Sequence, residues 1–427
     1  MLAMEKQTSF VLQGNIIYTP DKDHFVSLKD GCLVIENGRI TAISAQKPAD
    51  YSSLPLKECS GKLIMPGFAD MHLHAPQYIQ IGMGMDDQLL DWLDQYTFKE
   101  EPKFADPNFA RKIYPLLVDE LANCGTTSAA IFATIHKEST DILCDTLAQK
   151  GLRAYVGKVN MDTNSAPALT EDTEQSLAET EAFIQKWQKH DLVKPIVTPR
   201  FVPSTTAKMM TGLGKLAQEY HIPVQSHLSE NPGEIQLVKE LFPEDKYYMS
   251  VYERFGLFGQ TPTLMAHCIH LSDEEIDIMA KRKVYAVHCP ASNLNLASGL
   301  MPTRKLLNAG VNVALGTDIG GGHTLYMPHE IVRAIEISKI RSLYHPEETP
   351  LKLCEAFYLA TKAGGAFFGQ TGSLEAGCSA DFLITDIPDF QQDRTVEEQL
   401  QYFIYHGTAQ DIREVYVNGR SIKKQTI

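Results

Sequence analysis

His72 and His74 close the apolar run Met65-Pro66-Gly67-Phe68-Ala69-Asp70-Met71-His72-Leu73-His74 at a spacing of i, i+2. On a strand that spacing sends both imidazoles to the same side. Two neutral nitrogen donors side by side are half of a metal site, although an isolated His-x-His is as often a polar pair on a solvated strand face. The rest of the chain decides between them. His227, His267, His288 and Asp318 each stand at the C-terminal end of a short apolar run. If those runs are neighbouring strands, groups remote in sequence meet at one rim. Imidazoles with a carboxylate suit a borderline divalent cation such as zinc, with iron or manganese chemically admissible. Such an ion makes hydroxide available near neutral pH, so hydrolysis is the chemistry this pattern points to.

The elements that must position these groups alternate in type. After residues 67–74 come short apolar runs at 126–131, 154–159, 196–201, 222–227, 263–267, 284–288 and 311–318. Amphipathic stretches separate them, for example 108–122, 173–189, 207–220, 272–281 and 328–342. Eight such units predict an α/β fold, a (β/α)8 TIM-type barrel over residues 67–370, whose strands feed their C-terminal ends into one shared site. An open doubly wound sheet would begin with a Gly-x-Gly-x-x-Gly turn after its first strand, where this chain has the histidine pair. The flanks read as β-structure, with Asn37-Gly38 and Asn418-Gly419 as tight hairpin turns. Neither flank can bury a core alone. Residues 1–66 and 371–427 are therefore expected to join in one small β-sandwich built from both termini.

Composition narrows the partners. The chain has 427 residues, 44% hydrophobic and 22% charged, with a formal net charge of −14, which argues against nucleic acid. Its eight cysteines form no Cys-x-x-Cys pair, so neither a disulfide scaffold nor a thiolate zinc knot is indicated. Glu5, Lys6, Gln7 and Thr8 interrupt the N-terminal stretch where a signal peptide would be apolar, and no window approaches the ~20 apolar residues of a membrane span. A cytoplasmic protein with no membrane partner is expected.

Pro66-Gly67-Phe68-Ala69-Asp70-Met71-His72-Leu73-His74, His227, His267 and Gly316-Thr317-Asp318 together resemble the signature of the amidohydrolase superfamily. His74-Ala75-Pro76-Gln77-Tyr78, Leu90-Asp91-Trp92-Leu93, Pro199-Arg200-Phe201, His227-Leu228-Ser229-Glu230-Asn231, Ser250-Val251-Tyr252 and His288-Cys289-Pro290 are most similar to its guanine deaminase branch. The resemblance implies one Zn2+ per chain, with Fe2+ as the alternative, held by His72, His74, His227 and Asp318. It implies hydrolytic deamination of guanine to xanthine and ammonia, metal-activated hydroxide attacking the amino-bearing ring carbon. Asp318 would also take the water's proton, Glu230 would shuttle it to a ring nitrogen and the departing amine, and His267 would orient the attacking hydroxide.

The substrate-binding set implied is His74, Gln77, Arg200, Phe201, His227, Glu230 and Asp318. Arg200 would hold the carbonyl oxygen, Gln77 would offer a donor and an acceptor to a ring edge, and Phe201 would stack on the base or wall the pocket. Each has an ordinary alternative: Asp318 as a helix cap, Glu230 as a surface carboxylate, Arg200 in a salt bridge, Gln77 on a loop, Phe201 in the core. Trp92 and Tyr96 belong to a lid or to a helix packed on the barrel. His288 has a structural role only, and Cys289 none. Thr198-Pro199-Arg200-Phe201 stands where binuclear relatives carry a bridging lysine, so a single metal is expected. Phe98-Lys99-Glu100-Glu101 and Val202-Pro203-Ser204 depart from the branch pattern, which touches the lid and the rim. The resemblance also implies a homodimer. The competing activities are deamination of cytosine, an adenosine-type nucleoside or a triazine; outside catalysis, the competitors are a non-catalytic scaffold or a phosphate site at Gly320-Gly321-Gly322.

Overall fold

Asn37 and Gly38 both take positive φ, 51° and 76°, the backbone that a two-residue type I′ hairpin requires and that Asn-Gly adopts at little cost. Asn418 and Gly419 do the same at 49° and 70°. The computed structural model describes residues 9–423; Glu5, Lys6, Gln7 and Thr8 lie outside the described residues. Its first four strands are β1 (Phe10–Tyr18), β2 (Val26–Glu36), β3 (Arg39–Ser44) and β4 (Leu56–Pro66).

Ten parallel strand segments follow: β5 (Phe68–His74), β6 (Thr126–Phe132), β7 (Arg153–Gly157), β8 (Val159–Asn160), β9 (Val193–Pro195), β10 (Thr198–Pro199), β11 (Val224–Leu228), β12 (Thr263–His267), β13 (Tyr285–His288) and β14 (Asn312–Leu315). They pair in the orders β5-β6-β7-β9, β8-β10 and β11-β12-β13-β14. A parallel bridge from Val197 to Val224 links the middle of the series. At its ends, Asp318 N–H donates to the His72 carbonyl and His74 N–H to the Ile319 carbonyl, each at 2.7 Å. Strand residues are almost all buried, as a parallel sheet covered by helices requires.

The helices lie where the apolar spacing places them, at Pro107–Asn123, Thr173–Trp187, Ala207–Glu219, Asp273–Arg282 and Met327–Tyr344. Their starts are written locally: Asp172 caps Gln175 N–H, Thr206 caps Met209 N–H, and Ser272 with Glu275 closes a capping box. Of the strand expected at 196–201 only β10 forms, at Thr198–Pro199, and β9 lies just ahead of that range at Val193–Pro195. Pro195 and Pro199 lack the N–H that a continuous ladder needs.

Three last strands, β15 (Phe382–Thr385), β16 (Ile412–Val417) and β17 (Arg420–Ser421), complete a seven-stranded sheet in the order β17-β16-β15-β4-β1-β2-β3. The N-terminal and C-terminal parts of the described residues thus meet in one sheet, with Met65 of β4 opposite Leu383 of β15. Strand alternation divides its side chains: Leu63, Met65 and Leu383 pack into the main core, while Ile64, Phe382 and Ile384 join a second cluster with Leu12 and Leu33. Among the described residues, no helix is long and apolar enough to cross a membrane.

Candidate active site

His72 and His74 leave β5 on one side, 2% and 4% exposed. Asp318 follows β14, and its position is set by Asp70. The Asp70 carboxylate accepts the Thr317 N–H at 2.9 Å and the Thr317 hydroxyl at 2.5 Å, tying the end of β14 to β5. Burial pushes the Asp70 carboxyl up to about 6 against those hydrogen bonds. His72 Nε2 lies 3.2 Å and His74 Nε2 3.5 Å from Asp318 Oδ1, and His74 Nε2 lies 3.1 Å from His227 Nε2.

These separations can be tested against a cation. Ligand atoms at ~2.0–2.1 Å from a tetrahedral centre stand roughly 3.3–3.4 Å apart. The observed 3.1–3.5 Å matches. His227 Nδ1 donates to the Arg200 carbonyl at 2.6 Å, which leaves its Nε2 as a bare lone pair. The His72 Nε2 that faces Asp318 is buried and makes no hydrogen bond, as expected of an atom placed for something other than protein. Burial, followed by the charge of His72, holds His74 and His227 well below the usual imidazole range. Burial alone would raise Asp318, but the surrounding imidazoles outweigh it and hold the carboxyl far below its ordinary range. Neutral imidazoles and an ionised carboxylate are the protonation states that bind a metal. The donor set therefore fits a divalent ion.

Glu230 is brought over this cluster by a sharp turn after β11, where Ser229 takes φ 50°. It is 3% exposed, not a surface carboxylate; Oε1 accepts from the Ser298 hydroxyl at 3.1 Å and Oε2 lies 3.4 Å from His267 Nε2. Burial, then the charge of Asp318, pushes its carboxyl up to about 8, so it holds a proton near neutrality. His267, at the end of β12, has Nδ1 2.9 Å from Asn293 Oδ1 and Nε2 3.8 Å from Asp318 Oδ2. An amide oxygen can only accept, so Nδ1 carries the proton and the Nε2 lone pair faces the cluster.

A pocket opens beside these groups, with His74, Gln77, Arg200, Phe201, Glu230 and Asp318 on its wall. Leu89, Trp92, Leu93 and Leu296 pack with Phe201 as its apolar side. The segment holding Trp92 is helical, from the short helix Leu89–Trp92 into the π-helical turn Leu93–Thr97; Leu89, Trp92 and Leu93 line the pocket, and Tyr96 packs on the same apolar cluster.

A profile of the amidohydrolase family matches residues 63–422. The chain belongs to the amidohydrolase family. It is 40% identical to guanine deaminase of Dictyostelium discoideum over 86% of this chain and 84% of that one. Among solved structures it is similar to guanine deaminase of C. acetobutylicum with bound guanine in the active site, at 47% identity, TM-score 0.95, covering 97% of this chain and 100% of that one. It is also similar to E. coli guanine deaminase, at 31% identity and TM-score 0.89, covering 96% and 99%.

In this amidohydrolase His72, His74, His227, His267, Glu230 and Asp318 converge, as their positions at strand ends predict, and Gln77, Arg200 and Phe201 share their pocket. Asp318 caps no helix, since the next one starts at Met327. Arg200 is in a salt bridge and on the pocket wall together, its Nη1 2.7 Å from Glu101 Oε2. Gln77 lies in the 3₁₀ turn Ala75–Gln80. His288 is fully buried with neither ring nitrogen hydrogen-bonded, and burial pushes it down to about 3. Cys289 is a buried thiol raised well above its ordinary range by burial. The sequence alone assigned no role to Glu101, Asn293 or Ser298. None stands at a strand end, and the acidic pair Glu100-Glu101 was notable only as a departure from the branch pattern.

Proposed function

We propose that this amidohydrolase catalyses hydrolytic deamination of guanine to xanthine and ammonia. The observation that carries the reading is the shared pocket: a metal-type donor cluster and a proton-holding carboxyl on one side, a guanidinium and an amide on the other. Guanine deaminases of similar sequence, one solved with guanine bound, support it. His72, His74, His227 and Asp318 are the proposed ligands of one Zn2+, with Fe2+ as the alternative; three nitrogens and one oxygen suit either. An ion held there lowers the pKa of water from 15.7 to about 7 and so supplies hydroxide at neutral pH.

The chain's own groups do the rest. Arg200 and Gln77 hold the carbonyl-bearing edge of the base, and Phe201 with the Trp92 segment excludes water. His74 and His227 border the base as well as the ion. Asp318 accepts the water's proton, and the His267 lone pair orients the water. Glu230 gives its proton to the ring nitrogen beside the amino-bearing carbon as water adds. It then takes the proton from Asp318 and hands it to the leaving amine; as the C–N bond breaks, the proton of the added hydroxyl passes back to Glu230, so water and guanine become xanthine and ammonia and Glu230 ends protonated as it began.

The parallel strands, joined at Val197–Val224 and at His72–Asp318, are taken as a (β/α)8 barrel over residues 67–370. The β-sandwich expected of residues 1–66 and 371–427 is assigned to their described parts, 9–66 and 371–423. A cytoplasmic homodimer is the proposed state of the protein. The test is ammonia and xanthine production from guanine, with adenine, cytosine and a triazine in parallel and metal measured on the same sample. Guanine should be preferred by a wide margin; preference for another base, or a metal-free sample of equal activity, overturns the proposal.

A further inference from the structure

Glu101 is 2% exposed at the start of the 3₁₀ turn Glu101–Ala105, outside the pocket lining but bonded to two residues that belong to it, Gln77 and Arg200. Its carboxylate is divided between two side chains: Oε1 accepts from Gln77 Nε2 at 3.0 Å, and Oε2 accepts from Arg200 Nη1 at 2.7 Å. At the other end of the Gln77 amide, Oε1 accepts the Gly320 N–H at 3.0 Å. A glutamine can usually turn end for end. This one cannot, because a carboxylate only accepts and a backbone N–H only donates. Gln77 therefore keeps its NH2 beside Glu101, with one N–H to spare. Arg200 is held on a second side by the Phe98 ring, 5.7 Å from Cζ, and its remaining N–H groups are likewise donors.

We infer that Glu101 is a positioning residue for substrate selection: by locking Gln77 and Arg200 it makes their side of the pocket a donor surface that requires an oxo group on the base. The inference rests on the reaction proposed above and deepens it. Glu101 also balances the charge of Arg200. A buried guanidinium without a partner would select anions, whereas paired with Glu101 it can receive a neutral base. A base with no acceptor at that edge leaves buried N–H groups unsatisfied, which is how a hydrogen-bonding pocket rejects an analogue.

The test is Glu101→Gln. An amide at 101 cannot serve both neighbours. If its oxygen meets Arg200, its NH2 faces the NH2 of Gln77, and turning Gln77 sets NH2 against the Gly320 N–H. Hypoxanthine, which has the oxo group, and purine, which lacks it, are titrated calorimetrically onto the metal-loaded protein, alongside guanine kinetics. In E101Q the preference for hypoxanthine over purine should fall about tenfold or more, with KM for guanine raised and kcat within about threefold. Glu101→Asp, which keeps the charge on a shorter arm, should recover part of the preference and serves as the test if E101Q does not fold. Equal weakening of both ligands, or no change in either, overturns the inference. Failure of the wild-type protein to turn over guanine would instead overturn the proposed reaction, while the hypoxanthine-to-purine ratio still reports on Glu101.

Discussion

Asn293→Leu should reveal how far activity depends on a residue that touches neither base nor ion. Asn293 Oδ1 lies 2.9 Å from His267 Nδ1, and this hydrogen bond puts the ring proton on Nδ1 and the lone pair on Nε2, facing Glu230 and Asp318. Leucine leaves Nδ1 without an acceptor in a site where His267 is 1% exposed. The proton can then reside on Nε2, where it points at the space the attacking water needs. Loss of a partner that orients a ring in such a site costs about 10–100-fold in activity or metal affinity. That is about 1.4–2.7 kcal/mol of barrier. Asn293→Asp is the control. It restores an acceptor to Nδ1 and replaces Nδ2, which has no hydrogen-bond partner, so it should retain most of the activity. The assay is kcat/KM on guanine at saturating metal, with bound metal counted in each variant. Activity of the leucine variant within about twofold of wild type, or an aspartate variant as poor as leucine, would refute the tautomer assignment.

Glu230→Gln should keep its metal, since Glu230 is proposed as no ligand, and lose about 10²–10⁴-fold in kcat; retention within tenfold would remove the shuttle role. Arg153→Met should destabilise without touching the site. Arg153, at the start of β7, bonds Asp381, Asn418 and Ser379 at 2.9–3.1 Å, and Asp381 is fully buried. Removing the cation should cost about 3 kcal/mol and lower Tm by roughly 3 °C, and adding Asp381→Asn should recover part; a shift below about 1 °C counts against this. Burial pushes the Glu330 carboxyl up from 4.5 to about 8. Between those values the native chain holds a proton that the unfolded chain has shed, so this group lowers stability as pH rises. The Tm difference between Glu330→Gln and wild type should therefore move in favour of glutamine from about pH 5 to 8, and parallel curves would refute it.

Much of the fold is legible because its cues are local. His72-x-His74 reads as a same-side pair from the period of a strand, Asn37-Gly38 as a hairpin from the φ values those two residues tolerate, and Thr173–Trp187 as a helix from apolar spacing and a capping Asp172. The fourth strand region was harder, because Val193–Pro195 and Thr198–Pro199 carry prolines that interrupt the ladder while leaving the apolar pattern intact.

What the order of residues determined by itself is the supply of chemistry: which imidazoles, carboxylates and amides stand at strand ends or just beyond. Only the tertiary structure decided their partners. His74 and His227 are 153 residues apart and meet at 3.1 Å, and Glu101, from an irregular turn with no period to betray it, reaches both Gln77 and Arg200. The physical reason is that periodicity and capping act within a few residues along the chain. Distance, burial and the single polarity allowed to each buried hydrogen bond arise only when remote segments pack.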